Sequence, residues 1–143
     1  MAAEYSNVPV QTVAEDANVL FLEGCRSCRK GYIMHRDSSG LFRIKGARNS
    51  CKTVYRVTFD ANIAVTDGGT VGEISVALVI DGEPVGNAVA IVTPAAIGDF
   101  FNVSISTFVE IPCGCCASVA VENTSTGTAI DVQNANIIFD RVA

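Results

Sequence analysis

Apolar and polar residues alternate along much of this chain with a period of two. Tyr55, Val57, Phe59, Ala61, Ile63 and Val65 are set between Arg56, Thr58, Asp60 and Asn62. Successive side chains of an extended strand point to opposite faces, so this pattern predicts a long strand with one face in a core. Thr66-Asp67-Gly68-Gly69-Thr70 follows and supplies the glycines of a reversal. Ile74, Val76, Leu78 and Ile80 then resume the alternation, and Asp81-Gly82 marks a second turn. The two strands are expected to pair as an antiparallel hairpin. Such an apolar hairpin must lie against a second sheet, because an isolated pair of strands is barely stable in water.

The same period recurs on both sides of this stretch. Residues 18–23 (NVLFLE) predict a short first strand, and the glycine-flanked GCRSCRKG that follows predicts a loop. Tyr32 to Arg36 and Leu41 to Lys45 flank Asp37-Ser38-Ser39-Gly40 as a hairpin. Further strands are expected over Val85 to Thr93 and from Phe101 to Ile111, the latter ending at Pro112. Three more, centred on Val119 and Val121, Ile130 and Val132, and Ile137 and Phe139, are expected to be separate and short. Residues 1–17 show no sustained period and contain Pro9, so they are read as an N-terminal arm or linker leading into a domain over 18–143. About ten strands and no convincing helix give an all-β, two-sheet jelly-roll sandwich. Its expected core contains Val57, Phe59, Ile63, Val76, Leu78, Val103, Ile105, Val121 and Phe139.

Composition sharpens this picture. The 143 residues suit one domain, yet 49% are hydrophobic and only 17% charged, so apolar surface is left over for burial between subunits. The outward face of the central stretch carries Ala77 and Val79, and Phe108 stands on the polar side of its strand; these three are the expected interface residues. Charge is segregated within a net value of −5. Nine of the ten Lys and Arg lie between Arg26 and Arg56, while ten of the fifteen acids follow Val57. Opposite regions of this kind are expected to face each other within or between subunits. An acidic chain without aromatic-basic interleaving does not suggest a nucleic-acid partner. No apolar run has the length of a membrane span, and the first residues lack the basic start and apolar centre of a signal peptide, which places synthesis in a cytosol.

Candidate chemistry is sparse. The six cysteines are Cys25, Cys28, Cys51, Cys113, Cys115 and Cys116. Three readings stay open: reduced thiols packed as small hydrophobes, a disulfide such as Cys28 with Cys51, and a zinc site. Cys25-x-x-Cys28 has knuckle spacing and Cys113, Cys115 and Cys116 could complete a tetrahedral set, but there is no second C-x-x-C, so zinc ranks last. His35, the only histidine, has no sequence relation to a cysteine that suggests a nucleophilic dyad and is expected on a surface or interface. Asp67, Asp81, Glu83 and Asp99 sit by turns, where carboxylates ordinarily cap the backbone rather than bind calcium. No catalytic set, metal or cofactor is therefore assigned.

Over Leu41 to Ala143 the order of segments resembles the trimeric jelly roll of the tumour necrosis factor and complement globular-head superfamily. The resemblance is carried by GLFRIKG before VYRVTFDANIAV, by GEISVALVIDGEPV, by FVEIPCGCCASVAVEN and by the terminal VQNANIIFDRV. The same stretches, with NVLF, GYIMHRDSSG, IVTPAA and FNVS, are similar to jelly-roll domains of gut Firmicutes, their phages and prophages. Those domains occur as phage particle proteins or as heads of collagen-like surface proteins. The resemblance implies a non-enzymatic homotrimer, made in the bacterial cytoplasm and built into a virion as a capsid-decoration or head-fibre component. It further implies contact with capsid or other virion proteins through the arm. The alternative is a receptor- or glycan-binding head of a phage fibre or of a bacterial cell or spore surface protein.

Overall fold

The computed structural model describes residues 2–26, 32–36, 39–47 and 51–143, with the backbone alone for 23–26. Among these residues there are eleven strands: β1 (Ala2–Asn7), β2 (Gln11–Val13), β3 (Glu23–Arg26), β4 (Ile33–His35), β5 (Phe42–Lys45), β6 (Lys52–Val65), β7 (Ile74–Ile80), β8 (Glu83–Val92), β9 (Phe101–Pro112), β10 (Cys116–Asn123) and β11 (Ile130–Arg141). There is no helix among the described residues. The strands form two sheets. The first has the order β3-β1-β11-β6-β9 with β2 also on β11; the second has the order β4-β5-β10-β7-β8. All pairings are antiparallel. The architecture is the expected all-β jelly-roll sandwich.

Period-two burial explains why the sheets face each other. Along β6 the residues Tyr55, Val57, Phe59, Ala61, Ile63 and Val65 are all buried. They meet Val76 and Leu78 of β7, Val103 and Ile105 of β9, Val121 of β10 and Phe139 of β11 in one cluster. All nine expected core residues lie in that cluster. An aromatic group lies at one side of the core. The Phe42 ring stacks on His35 (centroids 4.4 Å apart) and meets Tyr5, Phe21 and Phe139 at 4.8, 5.4 and 4.9 Å.

Several local expectations are corrected. β6 and β7 do not pair: the Thr66 to Thr70 turn carries the chain from the first sheet to the second, so the two strands face across the core. Both strands are apolar, and a sandwich buries the inner faces of both in one core, which a hairpin within one sheet does not require. The turn needs a glycine for space, since a Cβ on Gly69 would sit 2.8 Å from Thr128 Oγ1 and 2.9 Å from Val65 Cγ1. The hairpin sits instead between β7 and β8, where Asp81 (φ 51°) and Gly82 (φ 85°) both adopt the left-handed conformation of a two-residue turn. Residues 18–22 contribute one isolated bridge, Asn18 with Glu122, although Val19 and Phe21 are fully buried, and the short first strand begins only at Glu23, as β3 beside β1.

The N-terminal residues are not a free arm. β1 and β2 lie end to end along β11, and Ala3, Tyr5 and Val13 enter the core cluster. The break at 8–10 faces a bulge in β11, where Asn134 has φ 54° and donates its N–H to Val8 O at 3.1 Å. That bulge lets β11 continue as one strand over Ile130–Arg141, where the sequence suggested two. The break in the pattern at Pro9 thus marks a bulge shared by two neighbouring strands.

Candidate functional site

The outward face of the first sheet is organised in rows that cross its strands. One row is Ala2, Asp140, Arg56 and Phe108; the next is Glu4, Ile138, Thr58 and Ser106; the third is Ser6, Asn136, Asp60 and Ser104. Phe108 is 63% exposed although it sits in the middle of a regular strand. The Arg56 guanidinium carbon lies 5.9 Å from the centre of its ring, a cation–π contact that holds both side chains against the sheet. Thr58 and Ser106 hydroxyls meet at 3.3 Å. Farther along, Asn102 Nδ2 donates to Asn62 Oδ1 at 3.2 Å and Asn62 Nδ2 to Asn134 Oδ1 at 3.3 Å, an amide ladder over three strands. Asn136 Oδ1 is buried and accepts no hydrogen bond among the described residues.

Both sheets end on one side of the sandwich, at the edge strands β8 and β9. That side and its connection expose Ile91, Ile97, Phe100 and Phe101 in addition to Phe108. An edge strand with unpaired backbone groups and apolar side chains is a template for another chain unless something blunts it. Here Lys52 and Glu110 form an exposed ion pair at 3.1 Å at one end of β9. This pair also joins the basic stretch to an acid of the later region inside one subunit.

Of the three expected interface residues, the structure exposes only Phe108. Ala77 is fully buried and Val79 is 5% exposed, even though neither faces the core. Each is hemmed in by its partners on both neighbouring strands: Ala77 by Glu122 and Val89, Val79 by Ala120 and Pro84. Glu122, beside Ala77, has its carboxyl pushed up by burial and secondarily by the nearby Asp16 charge.

The cysteines are distributed by the topology. Cys25 has its backbone in β3, at the far edge of the first sheet from β9; four strand spacings of about 4.8 Å separate them. That span does not allow Cys25 to share a tetrahedral zinc with Cys113, Cys115 and Cys116, since Zn–S bonds are about 2.3 Å. Cys28, and with it the Cys28–Cys51 pairing, lies outside the described residues. Among the described residues no three His, Cys, Asp or Glu side chains are grouped to hold a metal. Cys116 Sγ accepts from Arg43 Nε and Nη2 at 3.2 and 3.1 Å, between two shallow cavities of about 240 and 270 Å³. His35 presents Nε2 to Ser39 O at 2.7 Å and stacks on Phe42, so it is part of the aromatic group. Asp81 caps the β10 backbone, accepting from Ser118 N at 2.9 Å. The Arg56–Phe108 and Arg43–Cys116 contacts were invisible in the sequence, because each joins residues brought together only by strand register.

No protein-family model matches the chain, and no curated protein matches it in sequence. Solved structures do match its fold. The tumour necrosis factor Eiger from S. frugiperda superposes with a TM-score of 0.69 at 14% identity, covering 100% of this chain and 92% of its own. Murine APRIL gives 0.66 at 9% identity, covering 99% and 100%. The globular domain of zebrafish complement 1qA gives 0.56 at 13% identity, covering 99% and 94%. The chain therefore has the jelly-roll fold shared by tumour necrosis factors and complement globular heads. No helix among the described residues is long and apolar enough to cross a membrane.

Proposed function

We propose that this chain is a non-enzymatic structural module that assembles as a homotrimer through the β8–β9 side of one copy and the outward face of β1, β11 and β6 on the next. The observation that carries the reading is Phe108, an aromatic ring on a regular strand that contacts Arg56 and is left 63% exposed. A face-to-edge contact is heterologous, and heterologous contacts close into rings when the rotation allows. The similarity of fold to tumour necrosis factors and complement heads favours closure at three copies.

The resemblance of the sequence to phage and prophage jelly rolls favours a place in a virion, as a capsid-decoration or head-fibre component. Contact with the particle would then use loops or sheet surfaces, since β1 and β2 are committed to β11. Light scattering after size exclusion tests the assembly: the expected mass is three times the 15.0 kDa chain, and Phe108→Asp should give a folded monomer. A wild-type monomer at micromolar concentration overturns the proposal. Neighbouring genes for a capsid protein and portal would support the virion role, whereas a fibre or adhesin neighbourhood would favour the receptor-binding alternative.

A further inference from the structure

The turn between β9 and β10 separates three cysteines that the sequence presents as one cluster. Pro112 O accepts from Cys115 N at 3.1 Å, and Gly114 takes φ 73°, so the chain reverses here and leaves the first sheet for the second. Cys115 O then accepts from Gly46 N at 3.2 Å, and Cys116 pairs with Lys45 of β5. Cys113 is left behind on the first sheet. The β6–β9 register runs to Lys52 opposite Pro112, and Cys113 N donates to Cys51 O at 3.0 Å, so Cys51 stands directly opposite Cys113.

We propose that Cys51 and Cys113 are a disulfide-forming pair that closes the end of the β6–β9 ladder. A hydrogen-bonded antiparallel pair holds its Cα atoms about 5.5 Å apart, and disulfides span roughly 4.4–6.8 Å. Both residues continue the inward-facing series of their strands, Cys51 after Thr53 and Cys113 after Ile111, so their side chains leave the same face of the sheet. They lie past the end of the core and are exposed, within reach of a small reagent. Cys116 stands apart from this pair, because β10 places it opposite Lys45 in the other sheet.

The oxidant is a low-molecular-weight disulfide. The thiolate of one cysteine attacks it, forming a mixed disulfide and releasing one small thiolate. The second cysteine then attacks the protein sulfur of that mixed disulfide and releases the other. The protein gives up two electrons and two protons, and the reagent is reduced to two thiols. The bond would tie the edge strand β9 to the central strand β6 and restrict the unfolded chain between them.

The test uses the full chain carrying Cys115→Ser and Cys116→Ser, treated with an oxidised small disulfide and digested without reduction. The expected result is a cross-link between the peptide holding Cys51 and the peptide holding Cys113, lost in Cys51→Ser or Cys113→Ser. The wild-type chain should show the same link when its peptides are fragmented. Oxidation should raise the melting temperature by roughly 5–15 °C, reversed by reductant. Linkage of Cys51 to Cys25 or Cys28, linkage of Cys113 elsewhere, or full alkylation of both thiols after oxidation would each overturn the proposal.

Discussion

Phe42 is the residue through which the two sheets share an aromatic core, and Phe42→Ala is the sharpest test of that packing. Its side chain is fully buried on β5 in the second sheet. Its ring meets Tyr5 of β1 and Phe139 of β11 in the first sheet, Phe21 in the connection, and His35 of β4. Truncating a buried phenylalanine costs about 3–5 kcal/mol through lost transfer energy and the cavity left behind. Ring pairs add roughly 0.5–1.5 kcal/mol each beyond buried area, though not additively. The loss for Phe42→Ala should therefore fall at the upper end, about 4–5 kcal/mol. With a urea slope of roughly 2 kcal/mol/M, the unfolding midpoint moves down by about 2 M. Urea titration followed by far-ultraviolet circular dichroism, at one protein concentration, reads this directly. Phe42→Leu, which keeps most of the volume, should lose much less. A Phe42→Ala loss under about 1.5 kcal/mol, or an equal loss for both variants, would refute the account of a shared aromatic core.

Val79→Asp should destabilise the subunit itself, by about 3 kcal/mol or more, because Val79 is covered within one chain; a normal melt with only a change of mass would contradict this. Glu122→Gln should raise the melting temperature at pH 7 and leave it unchanged near pH 4. The folded state holds the Glu122 carboxyl above its ordinary value of 4.5, so it binds protons more tightly than the unfolded chain, and stability falls as pH rises through that window. A variant whose melting differs equally at both pH values would show that charge is not the cause. Treatment with a strong chelator should leave the melting temperature unchanged; a loss restored by zinc would reveal a structural metal.

Much of the fold was legible because burial in a sandwich repeats with the period of the strand itself. Val57, Phe59, Val76, Leu78 and Phe139 announce their inward positions through their neighbours alone, and Asp81-Gly82 announces its turn because few residue pairs accept two positive φ angles. The break at Pro9 was legible too, but not its meaning. A bulge looks like an ending until the partner strand is known, and the partner of β1 and β2 lies at the other end of the chain. Strand partnership as a whole belonged to the tertiary structure. The sequence pattern states which face of β6 and β7 is apolar but not whether they pair or face each other, because either arrangement removes the same side chains from water.

The candidate surface divides along the same line. Phe108 was visible as an apolar residue on a polar face, and that is a property of the strand. Ala77 and Val79 showed the same alternation, yet their exposure depends on the bulk of side chains on β8 and β10. The cysteines show it most plainly. Cys113, Cys115 and Cys116 are neighbours along the chain, but a turn through Gly114 sends them to different sheets, and register alone sets Cys51 opposite Cys113. Local chemistry determines which residues can extend, turn or be buried; which of them meet is decided by hydrogen-bonded register between strands far apart in sequence.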